Sequence, residues 1–291
     1  MNVTNDFDLP EAFVGAVTRD YHSEEGEYSA TTLLKGTREI ILTKRHWEEI
    51  TVDASDCVWQ IFGTATHRIF ERQKDDSFKE EFFSVDVLDS KVTGRVDNYD
   101  MERGILSDWK TSSVWKVQFK DFSDWRKQGL IYAWLMRKSG LEVKVCRFVA
   151  LLKDHSKSKA RFDSSYPQKP LYVYEFPVTD KDLEEIEGFI FDKVKDLEEA
   201  EKIPDERLAP CGETERWASP EKWAVMKKGR KSALRVCGSE EEALQYKAAK
   251  GGDYIEHRKG ESRKCLDYCN VCQWCGFWKK LNESVDKNIK V

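Results

Sequence analysis

The sequence predicts a mixed α/β fold, and three observations lead to it. Apolar residues recur at three- and four-residue spacing in several long stretches, which indicates amphipathic helices. Other stretches rich in β-branched and aromatic residues are bounded by turn residues and predict strands. These elements alternate as helix, three-stranded meander, helix, further strands and helix. That order favours a mixed central sheet flanked by helices over a doubly wound parallel one.

The predicted elements follow in chain order. A short helix is expected between Ser29 and Gly36, and a long amphipathic helix over residues 53–73 with Asp53 or Ser55 as its N-cap. Tight turns then join three strands, and a polar, Lys-rich loop separates two later ones. We expect strands at 80–88, 91–100, 104–113, 141–152 and 171–178, and helices at 122–138 and 180–200.

Length and charge limit the organisation of the chain. Its 291 residues can bury one substantial core and a small appended module. We place the boundary near Pro204, with a core and N-terminal lead-in over residues 1–203 and a basic, cysteine-rich region over 204–291. The net charge of −5 argues weakly against a large surface for gripping duplex DNA, but local basic patches remain compatible with DNA binding.

The sequence carries no signal for export or membrane insertion. No apolar run approaches the ~18–20 residues of a membrane span. The first residues, MNVTNDFDLPEAF, lack the basic and apolar regions of a secretory signal. We therefore expect a cytoplasmic protein with reduced thiols, located in the host cytoplasm if a phage encodes it.

An acidic centre with a lysine lies on the second and third strands of the meander. Asp97 ends one predicted strand, and Asp108 lies within the next. Neighbouring strands lie about 5 Å apart, so the two carboxylates can share one divalent cation. Asp108 and Lys110 are two residues apart and point to the same face. Taken alone, D-x-K is common and favours a solvated strand face.

This combination suits phosphodiester hydrolysis. A bound metal lowers the pKa of water and offsets charge in the transition state. A neighbouring lysine can hold the attacking water or stabilise developing charge on oxygen. Hard oxygen ligands favour Mg²⁺ or Mn²⁺.

The neighbouring elements carry further candidates. His67 lies on the helix before the meander, and Gln128 and Tyr132 share one face of the helix after it. Glu80 or Glu81 can add a third carboxylate from the first strand. Each of these residues alone is better explained by ordinary packing or a solvated edge.

In this order, the set resembles the RecB-like branch of the PD-(D/E)XK nuclease superfamily. The similarity spans roughly residues 54–135, and Val96 replaces the proline of the name-giving Pro-Asp. The matching positions are Gly63, His67 and Glu71; Glu80 or Glu81; Gly94 and Asp97; Asp108 and Lys110; and Gln128 and Tyr132.

The resemblance implies a restriction-endonuclease-like core and a role for each matching position. The implied metal ligands are His67, Asp97, Asp108 and the backbone carbonyl of Trp109, and Lys110 is the implied catalytic lysine. Gln128 and Tyr132 are expected to position the DNA strand or the lysine, and we take Glu81 as the additional catalytic carboxylate.

The implied activity is that of a metal-dependent deoxyribonuclease acting in recombination, repair or phage DNA metabolism. We expect an exonuclease or end-processing enzyme with DNA as its substrate, able to work with a recombination or helicase partner. Two alternatives remain open. One is a non-catalytic nucleic-acid-binding module with a structural metal site, and the other is a hydrolase of small phosphate esters.

Four cysteines crowd into eleven residues near the end of the sequence, at 265, 269, 272 and 275. Such crowding in a cytosolic chain favours zinc or an iron–sulfur cluster over disulfides. Because four ligands from one short segment are crowded, an outside ligand is expected, with Cys211 preferred over Cys57. The spacing does not separate zinc from iron–sulfur.

The resemblance extends to this tail, since some RecB-like nucleases hold a [4Fe–4S] cluster with one cysteine before the core and three after it. It therefore favours iron–sulfur, with Zn²⁺ as the alternative. Cys57 matches the upstream position but lies within a predicted helix. Our expected set is Cys211, Cys265, Cys269 and Cys275, with Cys272 as the substitute.

A basic segment precedes the tail and is followed by Arg235. With Trp217 and Trp223 nearby, it can track a phosphate backbone and stack bases, although a solvated face explains it equally well. The expected DNA-binding residues are Lys227, Lys228, Arg230 and Lys231.

Overall fold

The computed structural model describes residues 1–18 and 26–286, with the backbone alone for 282–286. The chain divides into two compact units, Met1–Pro204 and Asp205–Val291.

A six-stranded sheet forms the centre of the first unit. Its order is β2-β5-β6-β7-β8, and β4 pairs with the other edge of β5. The β2–β5 and β6–β7 pairs are parallel, whereas β4–β5, β5–β6 and β7–β8 are antiparallel. This mixed sheet confirms the fold class predicted from the sequence. Its strands are β2 (Glu27–Ser29), β4 (Phe78–Val87), β5 (Ser90–Asp100), β6 (Ile105–Ser112), β7 (Val145–Leu152) and β8 (Leu171–Pro177).

Helices flank this sheet. The sixth helix contacts the sheet and the long eighth helix, and the fourth contacts β5 and β6. A separate parallel pair joins β1 (Asn2–Thr4) to β3 (Thr51–Asp53). The helices of this unit are α1 (Glu11–Val17), α2 (Ala30–Leu33), α3 (Thr37–Arg45), α4 (Val58–Glu71), α5 (Val114–Phe119), α6 (Ser123–Lys138), α7 (Lys157–Phe162) and α8 (Asp180–Ala200).

The core forms where α6 meets the sheet. Trp134 and Leu135 on α6 and Phe148 on β7 are at least 98% buried. Burial of large side chains is the dominant favourable term in folding. This core therefore anchors α6 against the strands, and α6 carries two of the candidate site residues.

The sheet forks between β5 and β6. The β4–β5 hairpin is paired from Phe78↔Tyr99 to Val87↔Ser90. In contrast, β5 pairs with β6 only over 98–100 and 105–107, so the strands separate beyond Asn98. The sequence predicted an ordinary strand pair carrying Asp97 and Asp108, but the structure places these residues just beyond the last paired positions.

Most predicted elements are present, with shifted ends. The helix predicted over residues 180–200 is α8, which begins with a capping box between Thr179 and Asp182. The helix predicted to start at Asp53 begins with a 3₁₀ turn, which Asp53 caps, and α4 proper starts at Val58. The elements of this unit that were not predicted are short or weakly periodic; they are β1, β2, β3, α1, α3, α5 and α7.

The second unit contains a small antiparallel sheet in the order β10-β9-β11, packed against a helix. Val225, Cys237 and Ala243 form its buried centre. The sequence analysis found no apolar periodicity here because so few residues are buried. The elements are β9 (Lys222–Met226), β10 (Arg235–Cys237), α9 (Glu240–Lys250), β11 (Tyr254–Arg258), α10 (Arg263–Asp267) and α11 (Gly276–Asp286).

Among the described residues, no helix combines the length and apolarity needed to cross a membrane.

Candidate metal centre and active site

One imidazole and two carboxylates converge in the first unit. His67 projects from α4, Glu80 from β4 and Asp97 from β5, and one ligand atom of each lies within 4.8 Å of the other two. The Nδ1 atom of His67 lies 3.3 Å from Oδ1 of Asp97 and 3.8 Å from Oε1 of Glu80. This donor set of one nitrogen and two hard oxygens is suited to a divalent cation.

Glu80 joins this group at a break in the regular pairing of β4 with β5. The register passes from Lys79↔Asn98 to Glu81↔Val96 and omits Glu80, whose backbone is left-handed with a φ of 53°. The in–out alternation of side chains is interrupted there, and the Glu80 carboxylate lies beside His67 and Asp97. The next residue, Glu81, is exposed. Of the two glutamates expected from the sequence, Glu80 lies in the group and Glu81 does not, so the catalytic role expected for Glu81 stays a prediction without a structural partner in this group.

Asp97 also joins the two sides of the fork in the sheet. Its Oδ2 atom accepts a hydrogen bond from the backbone N–H of Trp109 at 2.8 Å. The indole ring of Trp109 packs against Phe70 of α4, with 4.5 Å between centroids. These contacts tie β5, β6 and α4 together at the group. The role expected for the Trp109 carbonyl stays a prediction.

Asp108 and Lys110 form an ion pair beside this group, with the carboxylate buried and the lysine side chain 22% exposed. Lys110 Nζ lies 2.7 Å from Asp108 Oδ2, although their alignment is outside hydrogen-bond geometry. The same ammonium donates to Gln128 Oε1 at 2.9 Å, and the Gln128 amide donates from Nε2 to Asp108 Oδ1 at 3.2 Å. The three side chains therefore form a closed network that fixes the lysine.

Tyr132 supports this network from the next turn of α6. Its hydroxyl accepts a hydrogen bond from Gln128 Nε2 at 3.1 Å. Both side chains are buried, each about 6% exposed. Of the two roles expected for this pair, positioning the lysine fits the structure better than contacting DNA.

Three ionisable side chains in this region have raised pKa values. Burial raises the pKa of Asp108 to about 6, and the neighbouring Lys110 opposes that shift. Hydrogen bonding to Asp97 raises the pKa of His67, and burial raises the pKa of Glu80. Clusters of perturbed groups are typical of functional sites, and bound cations relieve the repulsion between carboxylates.

An open cleft of about 470 Å³ lies against this group. Side chains from one face of α4, at spacings of three and four residues, form one wall, and strands β4 and β5 supply the other. The buried Oε1 atom of Gln60 has no hydrogen-bond partner among the described residues, so it offers a further acceptor to a bound donor or cation. The lining residues are Gln60, Gly63, Thr64, His67, Arg68, Glu71, Glu80 and Arg95.

Sequence reasoning missed some of these positions. Gln60 and Thr64 share the helical face of His67, so the spacing alone could have found them. Arg95 reaches the cleft because its guanidinium donates to the backbone carbonyl of Glu80 at 2.8 Å. That contact depends on strand register, and no short sequence motif announces it.

The remaining predicted residues lie in the second unit, apart from Cys57. The four exposed basic side chains at 227, 228, 230 and 231 occupy the turn between β9 and β10. Cys265 lies on α10, and two backbone bonds at the tail, Cys272 N to Cys269 O and Cys275 N to Cys272 O, form successive tight turns. Cys211 is half-buried and precedes the first strand of the small sheet in the sequence. Cys57 is buried at the start of α4 beside Val17 and Ala54.

No protein-family profile matches the sequence, and no curated protein does. Among solved structures, the chain is similar to the protein SSO0001, at 17% identity over 64% of this chain and 81% of that one, with a TM-score of 0.46. It is also similar to an alkaline exonuclease, LHK-Exo, from Laribacter hongkongensis, at 12% identity over 66% and 94% of the two chains, with a TM-score of 0.38. A phage-related exonuclease from Haemophilus somnus 129PT has 14% identity over 55% and 78%, with a TM-score of 0.34. All three likenesses are distant, with identities of 17% or less and TM-scores below 0.5.

Proposed function

We propose that this chain is a metal-dependent nuclease that hydrolyses DNA phosphodiesters. The observation that carries the proposal is the His67, Glu80 and Asp97 group beside the Asp108–Lys110 ion pair. A cation site adjoining a fixed ammonium suits phosphoryl transfer to water. Negative charge develops on the phosphate oxygens and on the leaving oxygen, and both positive groups can stabilise it.

Four side chains would hold Mg²⁺ or Mn²⁺ in this proposal. His67, Glu80 and Asp97 are already gathered, and Asp108 adds a carboxylate next to them. Their oxygens fit either ion, and the imidazole favours Mn²⁺. When bound, the ion would supply Lewis-acid stabilisation and a lowered pKa for water.

The chain's own residues would orient and stabilise the reacting atoms. Lys110 would direct its ammonium at the phosphate or at the attacking water, because Asp108 and Gln128 hold Nζ in one position. Gln128 would keep that position through its bonds to Asp108 and Tyr132. We assign Gln128 and Tyr132 as positioning residues and Lys110 as the catalytic lysine.

Two features support DNA over a small phosphate ester. The cleft is open and about 470 Å³ in volume, and Arg95 and Arg68 line it together with Glu71 and Glu80, with Arg68 paired to Glu71 at 3.0 Å. A polymer can extend beyond such a cleft along its rim, whereas an enzyme for a small ester commonly encloses its substrate. The ordered motif set further supports an exonuclease or end-processing enzyme, acting in recombination, repair or phage DNA metabolism.

We further propose that the second unit contributes DNA contacts and a metal site. Lys227, Lys228, Arg230 and Lys231 are exposed together in one turn, where they could contact phosphates. The cysteine tail would hold a [4Fe–4S] cluster or Zn²⁺ as a stabilising clamp, outside the chemistry. The successive turns at 269–275 support a compact ligand segment.

Cleavage of end-labelled linear DNA tests the proposed activity. We expect the purified chain to degrade single- or double-stranded DNA with Mg²⁺ or Mn²⁺ and to lose that activity in EDTA. Asp108→Ala should lower the rate at least about 100-fold, and Asp86→Ala, on the exposed face of β4, should leave it unchanged. Far-ultraviolet circular dichroism checks the fold of both variants. Metal-independent cleavage, or full activity of Asp108→Ala, would disprove the assignment.

A further inference from the structure

Two pairs of aromatic rings stand exposed in the first unit. Trp59 and Phe62 on α4 lie 5.5 Å apart, and Trp115 and Phe119 on α5 stack at 5.6 Å with 22° between their planes. These four side chains are 51% to 72% exposed. Large rings are normally buried, so two adjacent exposed pairs need an explanation.

Both pairs are joined to the same corner of the sheet. Lys153 places its ammonium 3.6 Å from the centre of the Trp59 ring, and its backbone N–H donates to Ser112 at the end of β6. The next residue, Asp154, accepts a hydrogen bond from the N–H of Val114, which begins α5. Residues 153–154 therefore connect the pair on α4 with the pair on α5.

This corner adjoins the proposed active site along β6. Ser112 follows Lys110 by two residues, a rise of roughly 7 Å along a strand. On the other side, α4 carries both Trp59 and His67, with the aromatic residues on an exposed face next to the one that lines the cleft. The pair on α4 thus shares a helix with the residues that line the cleft, and the pair on α5 follows directly on the strand that carries Asp108 and Lys110.

The corner is also positively charged, in contrast to the chain as a whole. Residues 153–170 contain five Lys and Arg and two Asp, a net charge of +3, whereas the chain carries −5. The five basic side chains are all exposed. Exposed rings among basic residues match the chemistry of unpaired bases on a phosphate backbone.

We propose that this aromatic corner, formed by Trp59, Phe62, Trp115 and Phe119, binds single-stranded DNA by base stacking. The unpaired strand end would pass from the rings into the cleft, so the preferred substrate is a single strand or a frayed or overhanging end. Paired bases in a duplex are stacked on each other and present no free face to the rings. This inference rests on the proposed nuclease function and names the form of DNA that the site takes.

Binding measured without cleavage tests the inference. In EDTA, fluorescence anisotropy would compare a 5′-labelled single-stranded oligonucleotide, a blunt duplex and an abasic strand of equal length. We expect the single strand to bind most tightly and the abasic strand at least about tenfold more weakly, since it keeps the phosphates and lacks the bases. Equal affinities for abasic and base-bearing strands would overturn the proposal.

Variants locate the effect. Trp115→Ala and Trp59→Ala should each weaken single-strand binding by about tenfold, and Trp115→Phe should retain most of the affinity. Phe191→Ala, which removes a 39% exposed ring on α8, is the matched control and should bind like the wild type. With Mg²⁺ or Mn²⁺, the two alanine variants should raise KM for overhang substrates more than they lower kcat.

The outcomes separate this inference from the proposed function. A wild type that cleaves no DNA contradicts the nuclease assignment. A wild type that cleaves, with alanine variants that bind single strands normally, contradicts the aromatic corner alone. Loss of self-association in Trp115→Ala, measured by sedimentation, together with unchanged DNA binding, would assign the rings to a protein interface and also overturn it.

Discussion

Glu80 and Glu81 are neighbours of identical chemistry, yet only one contributes to the gathered group. The distinction comes from the backbone, because Glu81 is paired with Val96 in the regular ladder whereas Glu80 has a left-handed conformation and lies beside His67 and Asp97. Residue propensity and motif spacing do not distinguish the two glutamates. The difference becomes visible only when the pairing of β4 with β5 is known residue by residue.

This difference gives a residue-scale prediction. Glu80→Gln should weaken Mn²⁺ binding by roughly tenfold or more, because a charged oxygen ligand becomes a neutral amide. Glu81→Gln removes the same charge one residue away and should bind Mn²⁺ like the wild type. Isothermal titration of both variants with Mn²⁺ measures this, and the reverse order of affinities would restore Glu81 to the site.

Asp108 gives a pH-dependent prediction for the metal-free protein. Burial raises its folded-state pKa to about 6, above the ordinary value of 3.8, so the folded state binds more protons between these two values. Stability should therefore fall as pH rises from about 4 to about 6 and then level off. Burying this carboxyl destabilises the folded state least when the group is protonated in both the folded and the unfolded state.

Thermal melts in EDTA check this sign. Asp108→Asn cannot ionise at this position, so its melting temperature should exceed that of the wild type by an amount that grows from pH 4 to pH 6. A constant difference over that range would show that Asp108 does not titrate there.

At the scale of elements, Gly94 sets how closely β5 approaches α6. A β-carbon at Gly94 would lie 2.7 Å from Leu135 Cδ1 and 2.9 Å from the Tyr132 ring. Gly63 on α4 differs, because nothing lies within 4 Å of its added β-carbon. Close packing against α6 therefore requires a glycine at position 94, whereas packing does not require one at position 63.

This contrast predicts opposite stability effects. Gly94→Ala should destabilise the fold by about 1–3 kcal/mol through overpacking. Gly63→Ala should stabilise it by about 0.5–1 kcal/mol, because alanine favours the helix and meets open space. Urea unfolding of the two variants measures the difference, and equal effects would mean that Tyr132 and Leu135 move aside freely.

The elements also show what sequence reasoning can reach. Helix α8 was predicted over its full length because its apolar residues recur on one face, and the structure adds the capping box between Thr179 and Asp182. Asp97, Asp108, Lys110 and His67 were selected as candidates because their order along the chain resembles a family pattern. The fork between β5 and β6 and the cleft contact of Arg95 were not found, since both arise from pairing between distant segments.

At the scale of the whole molecule, the chain consists of two units whose buried cores differ in size. The first, Met1–Pro204, buries a large core, and its candidate site residues are drawn from five elements of that unit, α4, β4, β5, β6 and α6. The second, Asp205–Val291, has a small sheet whose buried apolar cluster contains three residues, Val225, Cys237 and Ala243. Small cores commonly need a further cross-link, so a metal held by the cysteine tail, as proposed above, would stabilise this unit.

The metal content of cysteine variants tests the proposed metal site of the cysteine tail. Cys265→Ser should lose the bound metal and lower the melting temperature, and Cys237→Ala, in the core of the small sheet, should keep the metal. Anaerobic purification followed by visible absorption identifies iron–sulfur charge transfer, and elemental analysis identifies zinc. Full metal content in Cys265→Ser would remove that thiol from the ligand set.

The central claim is that the Asp97, Asp108 and Lys110 region performs metal-dependent cleavage, with Lys110 acting on the reacting atoms. Single-turnover cleavage of end-labelled DNA by Lys110→Ala, measured beside Mn²⁺ binding of the same variant, tests this most directly. We predict Mn²⁺ binding close to that of the wild type and a cleavage rate at least about 100-fold lower. Normal cleavage by a folded, Mn²⁺-binding Lys110→Ala would contradict the account.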